Sequence, residues 1–147
     1  MWKKHLKHSS KLYKQLPNDL AEAYFDLEWD QTKLWAVDGN EEKTPVSELL
    51  WHLDLPFWAT KNPEHRFDLC PRDVINNPTV YQKHYQRIVD CDLNHPIRMA
   101  KLAGRWIILD GIHRLAKCSI NNIKTIRCLK LKESDLTKIL KDLNTSN

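Results

Sequence analysis

The strongest constraint on the fold of this chain is a pair of short apolar runs separated by a two-residue turn. Residues 97–109 contain both runs, with Ala103-Gly104 between them, and glycine readily takes the positive φ that a tight hairpin turn requires. Asp110-Gly111 interrupts the second run, and the spacing after it predicts a helix over residues 113–121. A further apolar run over residues 125–131 predicts another strand. The pattern therefore predicts a hairpin–helix–strand core.

The rest of the chain predicts mainly helices. Lysine-rich residues 2–16 carry apolar side chains at approximate helical spacing. This spacing indicates an amphipathic helix that packs on its own domain or, alternatively, binds a membrane or a partner. We also expect helices over residues 19–30, 44–55, 77–90 and 134–143, strands over residues 34–37 and 67–70, and a turn over residues 71–73. The predicted fold class is α+β, with a small mixed β-sheet flanked by helices.

The length of 147 residues fits one domain with a small N-terminal appendage. We expect residues 1–66 to form a helical extension packed on the core, and residues 67–147 to form the core domain itself. A hydrophobic fraction of 41% and six tryptophans argue against a disordered chain. The four cysteines are scattered without a C-x-x-C pair, which is typical of reduced thiols in a cytosolic protein. With no signal peptide and no long apolar run, we expect a cytoplasmic protein without membrane contacts.

The net charge of +4 is too small to indicate nucleic-acid binding by itself. The distribution is more informative, because residues 111–132 hold six basic side chains and no carboxylate. A polyanion could bind this stretch, although such charge runs are usually solvated faces. Nucleic acid therefore stays open as a partner without being the favoured one.

The turn at Asp110-Gly111 carries residue types suited to bind an anion. A strand that leads directly into a helix exposes the first N–H groups of that helix, where the dipole also favours negative charge. Gly111 allows close approach of a ligand, and His113 and Arg114 place donors where phosphate oxygens would lie. Lys117 could add positive charge, while Asp110 could orient His113, hold a divalent metal or cap the helix. The alternative is an ordinary turn flanked by surface residues.

Residues 51–58 form a second candidate patch, in which aromatic side chains surround His52 and Asp54. The aromatic residues are expected in the core or in a lid, and the two polar groups would need partners when buried. If this segment folds over the turn, Asp54 could act as a base or metal ligand, and an aromatic ring could stack on a nucleobase.

The helix before the hairpin could also contribute to the site. Tyr85, Arg87 and Asp92 could approach the turn, although a structural salt bridge is the stronger expectation for Arg87. Cys91 and His95 have the spacing of metal ligands, but no second pair stands near them, so the sequence does not predict a zinc site.

The hairpin, the acidic-glycine turn, the His-Arg pair that opens a helix and the final strand together resemble the core of the ParB/sulfiredoxin superfamily. The resemblance covers residues of about 67–131 and rests mainly on Asp110-Gly111-Ile112-His113-Arg114. Family members bind nucleotide phosphates at the corresponding turn, namely ATP in sulfiredoxin and free-serine kinases and CTP in ParB. The resemblance implies that Gly111, His113 and Arg114 contact the phosphates, with Lys117 in support.

Two departures from the family pattern narrow the expected activity. Sulfiredoxin has a catalytic cysteine immediately before its His-Arg pair, where this chain has Ile112, and Cys118 lies too far along the helix to replace it. We therefore expect no sulfinic-acid reduction. ParB has a glutamate and paired arginines at this turn and continues into a helix-turn-helix domain. Only about sixteen residues follow Leu131, so we do not expect ParB-type partition.

The resemblance thus implies a protein that binds ATP or CTP, with Mg²⁺ as the accompanying ion. If the protein is an enzyme, the expected reaction is phosphoryl transfer or nucleotide hydrolysis, which depends mainly on positioning and electrostatics. The expected catalytic residues are then Asp110, His113 and Asp54, while the metal ligands and the acceptor, a small molecule or a protein, stay open. The alternative is a non-enzymatic regulatory module that binds a nucleotide or nucleic acid.

Overall fold

A computed structural model describes residues 10–60 and 67–140 of the chain. Within these residues, seven α-helices flank a four-stranded mixed β-sheet, which confirms the predicted α+β class. The helices are α1 (Lys11–Gln15), α2 (Asn18–Asp26), α3 (Gln31–Ala36), α4 (Pro71–Asn76), α5 (Gln82–Asp90), α6 (Ile112–Ile120) and α7 (Glu133–Ile139). The strands are β1 (Glu41–Pro45), β2 (Ile97–Leu102), β3 (Arg105–Asp110) and β4 (Thr125–Lys130). Two short 3₁₀ turns, Val46–Glu48 and Leu50–Asp54, follow β1 directly.

The sheet has the strand order β1-β4-β2-β3. Strands β2 and β3 form the predicted antiparallel hairpin, and both turn residues, Ala103 and Gly104, have positive φ angles of 49° and 76°. Helix α6 then carries the chain back so that β4 pairs in parallel with β2. Strand β1 adds antiparallel to the other side of β4. The hairpin, the following helix and the last strand are therefore all confirmed.

The hairpin contains an irregularity that matters for the site. Met99 faces Ile108 as a regular two-residue hairpin requires, but the register shifts between Arg98 and Met99. Arg98 consequently lies opposite Asp110, one residue beyond Leu109, which an uninterrupted ladder would place there. A bulge of this kind bends the strand and redirects side chains. It brings an arginine and an aspartate together at the open end of the hairpin.

Each face of the sheet packs against its own group of helices. Because successive strand residues point to opposite faces, the apolar strands β2, β3 and β4 contribute to two separate cores. Helices α1, α2, α3 and α7 cover one face, and helices α4, α5 and α6 with the 3₁₀ turns cover the other. The strand residues of the first core are Ala100, Leu102, Ile107, Leu109 and Leu129, and those of the second are Ile97, Met99, Ile108, Ile126 and Cys128.

The described part of the N-terminal lysine-rich segment packs on the protein itself. Ser10 is the N-cap residue of helix α1, and its Oγ accepts a hydrogen bond from the Leu12 amide at 3.1 Å. Leu12 and Leu16 are buried in the first core. Residues 1–9 lie outside the described residues, so the amphipathic helix predicted there is confirmed only from residue 11 onward.

Residues before the expected domain boundary at residue 66 contribute to the sheet. Strand β1 pairs with β4 from Glu41 opposite Leu129 to Pro45 opposite Thr125. Residues 61–66, where the boundary was expected, lie outside the described residues. The division into an extension and a core domain stays a prediction, but the segment before residue 60 supplies a strand as well as helices.

Two of the predicted elements in this first half are wrong. The strand expected over residues 34–37 is the end of helix α3, whose N-cap Asp30 accepts a hydrogen bond from the Lys33 amide at 3.2 Å. The helix expected from Thr44 is instead the end of β1 followed by 3₁₀ turns. Pro45 is tolerated there because β1 is an edge strand.

Other predicted boundaries shift. The strand expected over residues 67–70 is a single bridge between Trp58 and Leu69, and the turn expected after it is helix α4 with Pro71 in its first turn. The helix expected over residues 77–90 begins only at Gln82. Helix α2 ends at Asp26, and α7 begins at Glu133, with the Asp135 carboxylate accepting from the Lys132 amide. Helix α7 ends at Ile139, because Leu140 is extended and forms a bridge with Trp29, and residues 141–143 of the predicted last helix lie outside the described residues.

Within residues 10–60 and 67–140, none of the helices combines the length and the hydropathy needed to cross a membrane.

Candidate functional site

The turn between β3 and α6 leaves a helix N-terminus without a capping side chain. Gly111 is the N-cap residue, with φ at +119°, and its carbonyl accepts from the Leu115 amide at 3.0 Å. A Cβ atom at this position would lie 2.8 Å from Ile97 Cγ1 and 3.0 Å from Arg114 Nη1. Only glycine fits both the dihedral angle and the space. The first amides of α6 are therefore presented as donors beside Arg114.

Arg114 anchors this turn to the hairpin. Its Nη1 donates to the carbonyl of Pro96 at 2.6 Å, and its Nη2 donates to Asp110 Oδ2 at 3.1 Å. The same Asp110 oxygen lies 4.0 Å from Arg98 Nη1. The side chains of Arg98, Arg114 and Asp110 are only 11%, 14% and 19% exposed. Two largely buried guanidinium groups therefore share one carboxylate.

His113 points into an aromatic stack. Its ring lies 4.4 Å from that of Trp58 at an angle of 18°, and Trp58 is also parallel to His84 at 5.5 Å. The Nε2 atom of His113 is buried and has no hydrogen-bond partner among the described residues. Burial, reinforced by the nearby positive charge of Arg87, lowers the pKa of His113 to about 4. His113 is therefore a neutral imidazole near pH 7.

Lys117 is directed away from the turn. Its Nζ donates to the carbonyls of Val89 and Cys91, both at 2.8 Å, where α5 ends. Terminal helix carbonyls are regular partners for lysine. Lys117 does not line either of the cavities beside the turn. The structure thus gives Lys117 a structural contact, and its supporting role in phosphate binding stays a prediction.

Asp54 is likewise not brought to the turn. Its Oδ1 accepts from Arg72 Nε at 3.0 Å, and it lines neither cavity beside the turn. The aromatic segment of residues 51–58 does reach the turn, because Trp58 stacks on His113. The segment therefore folds over the site through an aromatic ring and not through its carboxylate.

Two adjoining cavities lie beside the turn. The first, which we call the turn cavity, has a volume of about 340 Å³. The second, the tryptophan cavity, has a volume of about 420 Å³. Both volumes fit small-molecule sites, which span roughly 300–1,000 Å³. The turn cavity is lined by Arg87, Cys91, Asp92, His95, Asp110, Gly111, His113 and Arg114, and the tryptophan cavity by Trp35, His95, Arg98, Asp110 and Arg114.

The lining residues were foreseen only in part. Arg87 and Asp92 line the turn cavity, as the sequence suggested, whereas Tyr85 lines neither cavity. Arg98 and Trp35 were missed. A lone arginine within an apolar strand was the available signal for Arg98, but the bulge that turns it toward Asp110 has no signature in the sequence. The strand predicted over residues 34–37 gives no reason to expect Trp35 at the cavity, whereas helix α3 brings it there.

The residues with metal-ligand spacing have other partners. His95 Nε2 lies 3.5 Å from Asp92 Oδ2, and the Cys91 thiol donates to the Ile88 carbonyl at 3.2 Å. Burial raises the pKa of the Cys91 thiol, so the thiolate form that binds metals is disfavoured. Among the described residues, no group of three or more His, Cys, Asp or Glu side chains is arranged to hold a metal ion.

Much of the basic stretch over residues 111–132 is neutralised within the fold. Arg127 pairs with Glu41 at 2.7 Å, and Lys130 pairs with Glu42 at 2.7 Å. Both glutamates lie on β1, next to β4. The apparent basic run therefore does not form a continuous free cationic face of the kind that phosphate backbones bind.

No protein-family model, curated protein or solved structure matches the chain. The resemblance to the ParB/sulfiredoxin superfamily therefore rests on the motif and the order of elements, and family membership stays a prediction.

Proposed function

We propose that this protein binds a nucleotide, ATP or CTP, and holds its phosphate groups beside residues 110–114. The charge balance at the open end of the hairpin carries this proposal. Arg98 and Arg114 share the single carboxylate of Asp110, and each of the three side chains is less than one-fifth exposed. The largely buried cluster therefore has an excess of one positive charge.

Excess charge in a poorly solvated place is costly unless an anion compensates it. The backbone carbonyls of Trp35 and Pro96 accept from the two guanidinium groups, which offsets part of the cost without neutralising the charge. A phosphate group would supply the missing negative charge, and guanidinium groups match its oxygens well.

The neighbouring backbone favours the same ligand. The uncapped N-terminus of α6 opens beside the turn cavity, and helix N-termini favour anions. Arg87 also lines that cavity, together with Asp92, which pairs with His95. His113 is neutral near pH 7, so it would contribute a hydrogen bond and not a charge.

The test is a binding panel on the full chain with ATP, CTP, GTP and inorganic triphosphate, with and without magnesium, read by thermal shift and by calorimetry. Arg87 supplies a suitable variant, because it is exposed and its removal spares the buried ion pairs. We expect Arg87→Glu to weaken nucleotide binding at least tenfold. Lys83→Glu is the matched control, since Lys83 is also exposed on α5 and lines neither cavity.

Absence of any stabilisation by millimolar nucleotide or triphosphate would overturn the proposal. Equal weakening by Arg87→Glu and Lys83→Glu would also count against the proposal. Such a result would show that nucleotides respond to the overall charge of the protein and not to a defined site.

One observation favours a binding or regulatory module over an enzyme. Both predicted catalytic carboxylates are held by arginines, Asp110 by Arg114 and Asp54 by Arg72. Asp110 already compensates the charge of an arginine through Oδ2, and Asp54 lines neither cavity beside the turn, so neither carboxylate is placed as an unpaired base at the phosphates. An assay of released phosphate at saturating nucleotide and magnesium separates the two functions, and we expect binding without appreciable turnover.

A further inference from the structure

Trp35 is an unusual surface residue in this protein. Its side chain is 57% exposed, while the preceding residue Leu34 is fully buried. Single exposed apolar residues are common on protein surfaces, so exposure alone carries no function. What distinguishes Trp35 is its position, because it lines the tryptophan cavity next to the charge cluster.

The backbone of Trp35 is tied to that cluster. Arg98 Nη2 donates to the Trp35 carbonyl at 3.1 Å, and Arg98 Nη1 faces Asp110 at 4.0 Å. Helix α3 is anchored at its other end, where the Asp30 amide donates to the Ile139 carbonyl at 2.8 Å. The backbone of Trp35 is therefore held at a set position relative to the guanidinium groups, with its indole beside them.

Arg98 is not fully satisfied by the protein. Its Nε atom is buried and forms no hydrogen bond among the described residues. An unsatisfied buried donor calls for an explanation in terms of function or of a bound species. The tryptophan cavity is thus lined both by a guanidinium group with an unused hydrogen-bond donor, Arg98, and by an aromatic side chain, Trp35.

The two cavities share three of their lining residues. His95, Asp110 and Arg114 border both of them. A ligand whose phosphates lie at residues 110–114 could therefore extend a planar ring past Arg114 toward Trp35. A volume of about 420 Å³ leaves room for a nucleobase.

We infer that Trp35 stacks on the base of the nucleotide whose phosphates bind at residues 110–114, an inference that rests on the proposed function. Stacking between an indole and a base tolerates any base, since every base has a π-face. Trp35 therefore contributes affinity for nucleosides over bare phosphates and little choice among ATP, CTP and GTP.

The experiment compares ATP with inorganic triphosphate by calorimetry on the full chain. Trp35→Ala is expected to weaken ATP binding by about 10- to 100-fold. The same substitution leaves binding of inorganic triphosphate within twofold of wild type. Trp35→Phe retains most of the ATP affinity because it keeps an aromatic face. Val80→Ala is the control, as Val80 is also an exposed large apolar residue and lines neither cavity.

The outcomes separate the two proposals. If wild type binds neither ATP nor inorganic triphosphate, the proposed function and this inference both fail. If wild type binds both ligands and Trp35→Ala leaves ATP affinity unchanged, only the stacking inference is overturned. If Trp35→Ala weakens both ligands equally, Trp35 supports the fold of the site and does not stack on a base.

Discussion

The Nε2 atom of His52 accepts a hydrogen bond from the backbone amide of Ile108, 3.1 Å away. Strand β3 is an edge of the sheet, so this amide has no neighbouring strand to donate to. The other ring nitrogen of His52 donates to the Leu49 carbonyl at 2.9 Å, which assigns the proton to Nδ1. A fully buried neutral histidine thus completes the hydrogen bonding of the strand that leads into the candidate site.

Removing this acceptor should destabilise the protein. We expect His52→Leu, which keeps similar volume but leaves the Ile108 amide unpaired, to lower the free energy of unfolding by about 2 kcal/mol. Urea unfolding of the full chain measures the change. His95→Leu is the control, because His95 is exposed and should alter stability by no more than about 0.5 kcal/mol. Equal effects of the two substitutions would contradict the proposed role of His52.

Stability should fall on mild acidification. Burial lowers the pKa of both His52 and His113 from 6.5 to about 4. As the pH falls below 6.5 the unfolded chain takes up these protons first, so stability is present above pH 6.5 and is lost as the pH falls toward 4. Between pH 7 and pH 5 the loss should be about 2 kcal/mol for each histidine.

Urea unfolding at several pH values tests this dependence. We expect His113→Gln to show a smaller loss between pH 7 and pH 5 than wild type, because one titrating group is gone. A pH profile that is parallel to that of wild type would show that His113 does not contribute.

The three glycines provide an internal series. Gly111→Ala meets both a positive φ and Ile97 Cγ1 at 2.8 Å, and should cost about 2–3 kcal/mol. Gly104→Ala has open space but a positive φ, so its cost should be about 1 kcal/mol. Gly39→Ala meets nothing within 4 Å and should be nearly neutral. Thermal or urea unfolding gives the order, and a Gly111→Ala protein as stable as Gly39→Ala would refute the close packing of this turn.

Lys117 should affect stability and not ligand binding. Lys117→Met removes two hydrogen bonds to the carbonyls at the end of α5, and should lower stability by about 1–2 kcal/mol. The affinity for inorganic triphosphate should stay within about twofold of wild type, since Lys117 lines neither cavity beside the turn. A tenfold loss of that affinity would instead support the role in phosphate binding that the sequence suggested for Lys117.

Neutralising Asp110 should have opposite effects on stability and on anion binding. Asp110→Asn leaves Arg98 and Arg114 without a charged partner, so the melting temperature should fall. Inorganic triphosphate should then stabilise the variant more than it stabilises wild type, because the competing carboxylate charge is gone. Asp90→Asn, an exposed site on α5, serves as control. A smaller stabilisation of Asp110→Asn would indicate that Asp110 itself holds the ligand or its metal ion.

The elements that the sequence predicted well are those with strong local signals. The hairpin strands, helix α6 and strand β4 each have an apolar pattern, and glycine or asparagine marks the turns between them. The predictions failed around Leu34 and Thr44, where local signals were ambiguous. A short apolar run suits either a strand or a helix, and Thr44-Pro45 suits either a helix start or the end of an edge strand. Pairing with β4 decided the second case.

At the site, the motif identified which residues are present but not which partners they have. Gly111, His113 and Arg114 do lie together beside a cavity, as the strand–turn–helix pattern predicts. Lys117 and Asp54 are drawn to other partners, the end of α5 and Arg72. Long side chains choose partners among elements that are distant in sequence, so such pairings follow from the packing and not from the spacing.

The sequence by itself determined that a strand leads through Gly111 into a helix, because local propensity and the absence of a Cβ atom act over a few residues. Only the tertiary structure decided the chemistry around that turn. A bulge sets Arg98 opposite Asp110, helix α3 brings Trp35 beside them, and burial keeps His113 neutral. Register, packing and desolvation are properties of the assembled sheet and helices, and no short stretch of sequence specifies them.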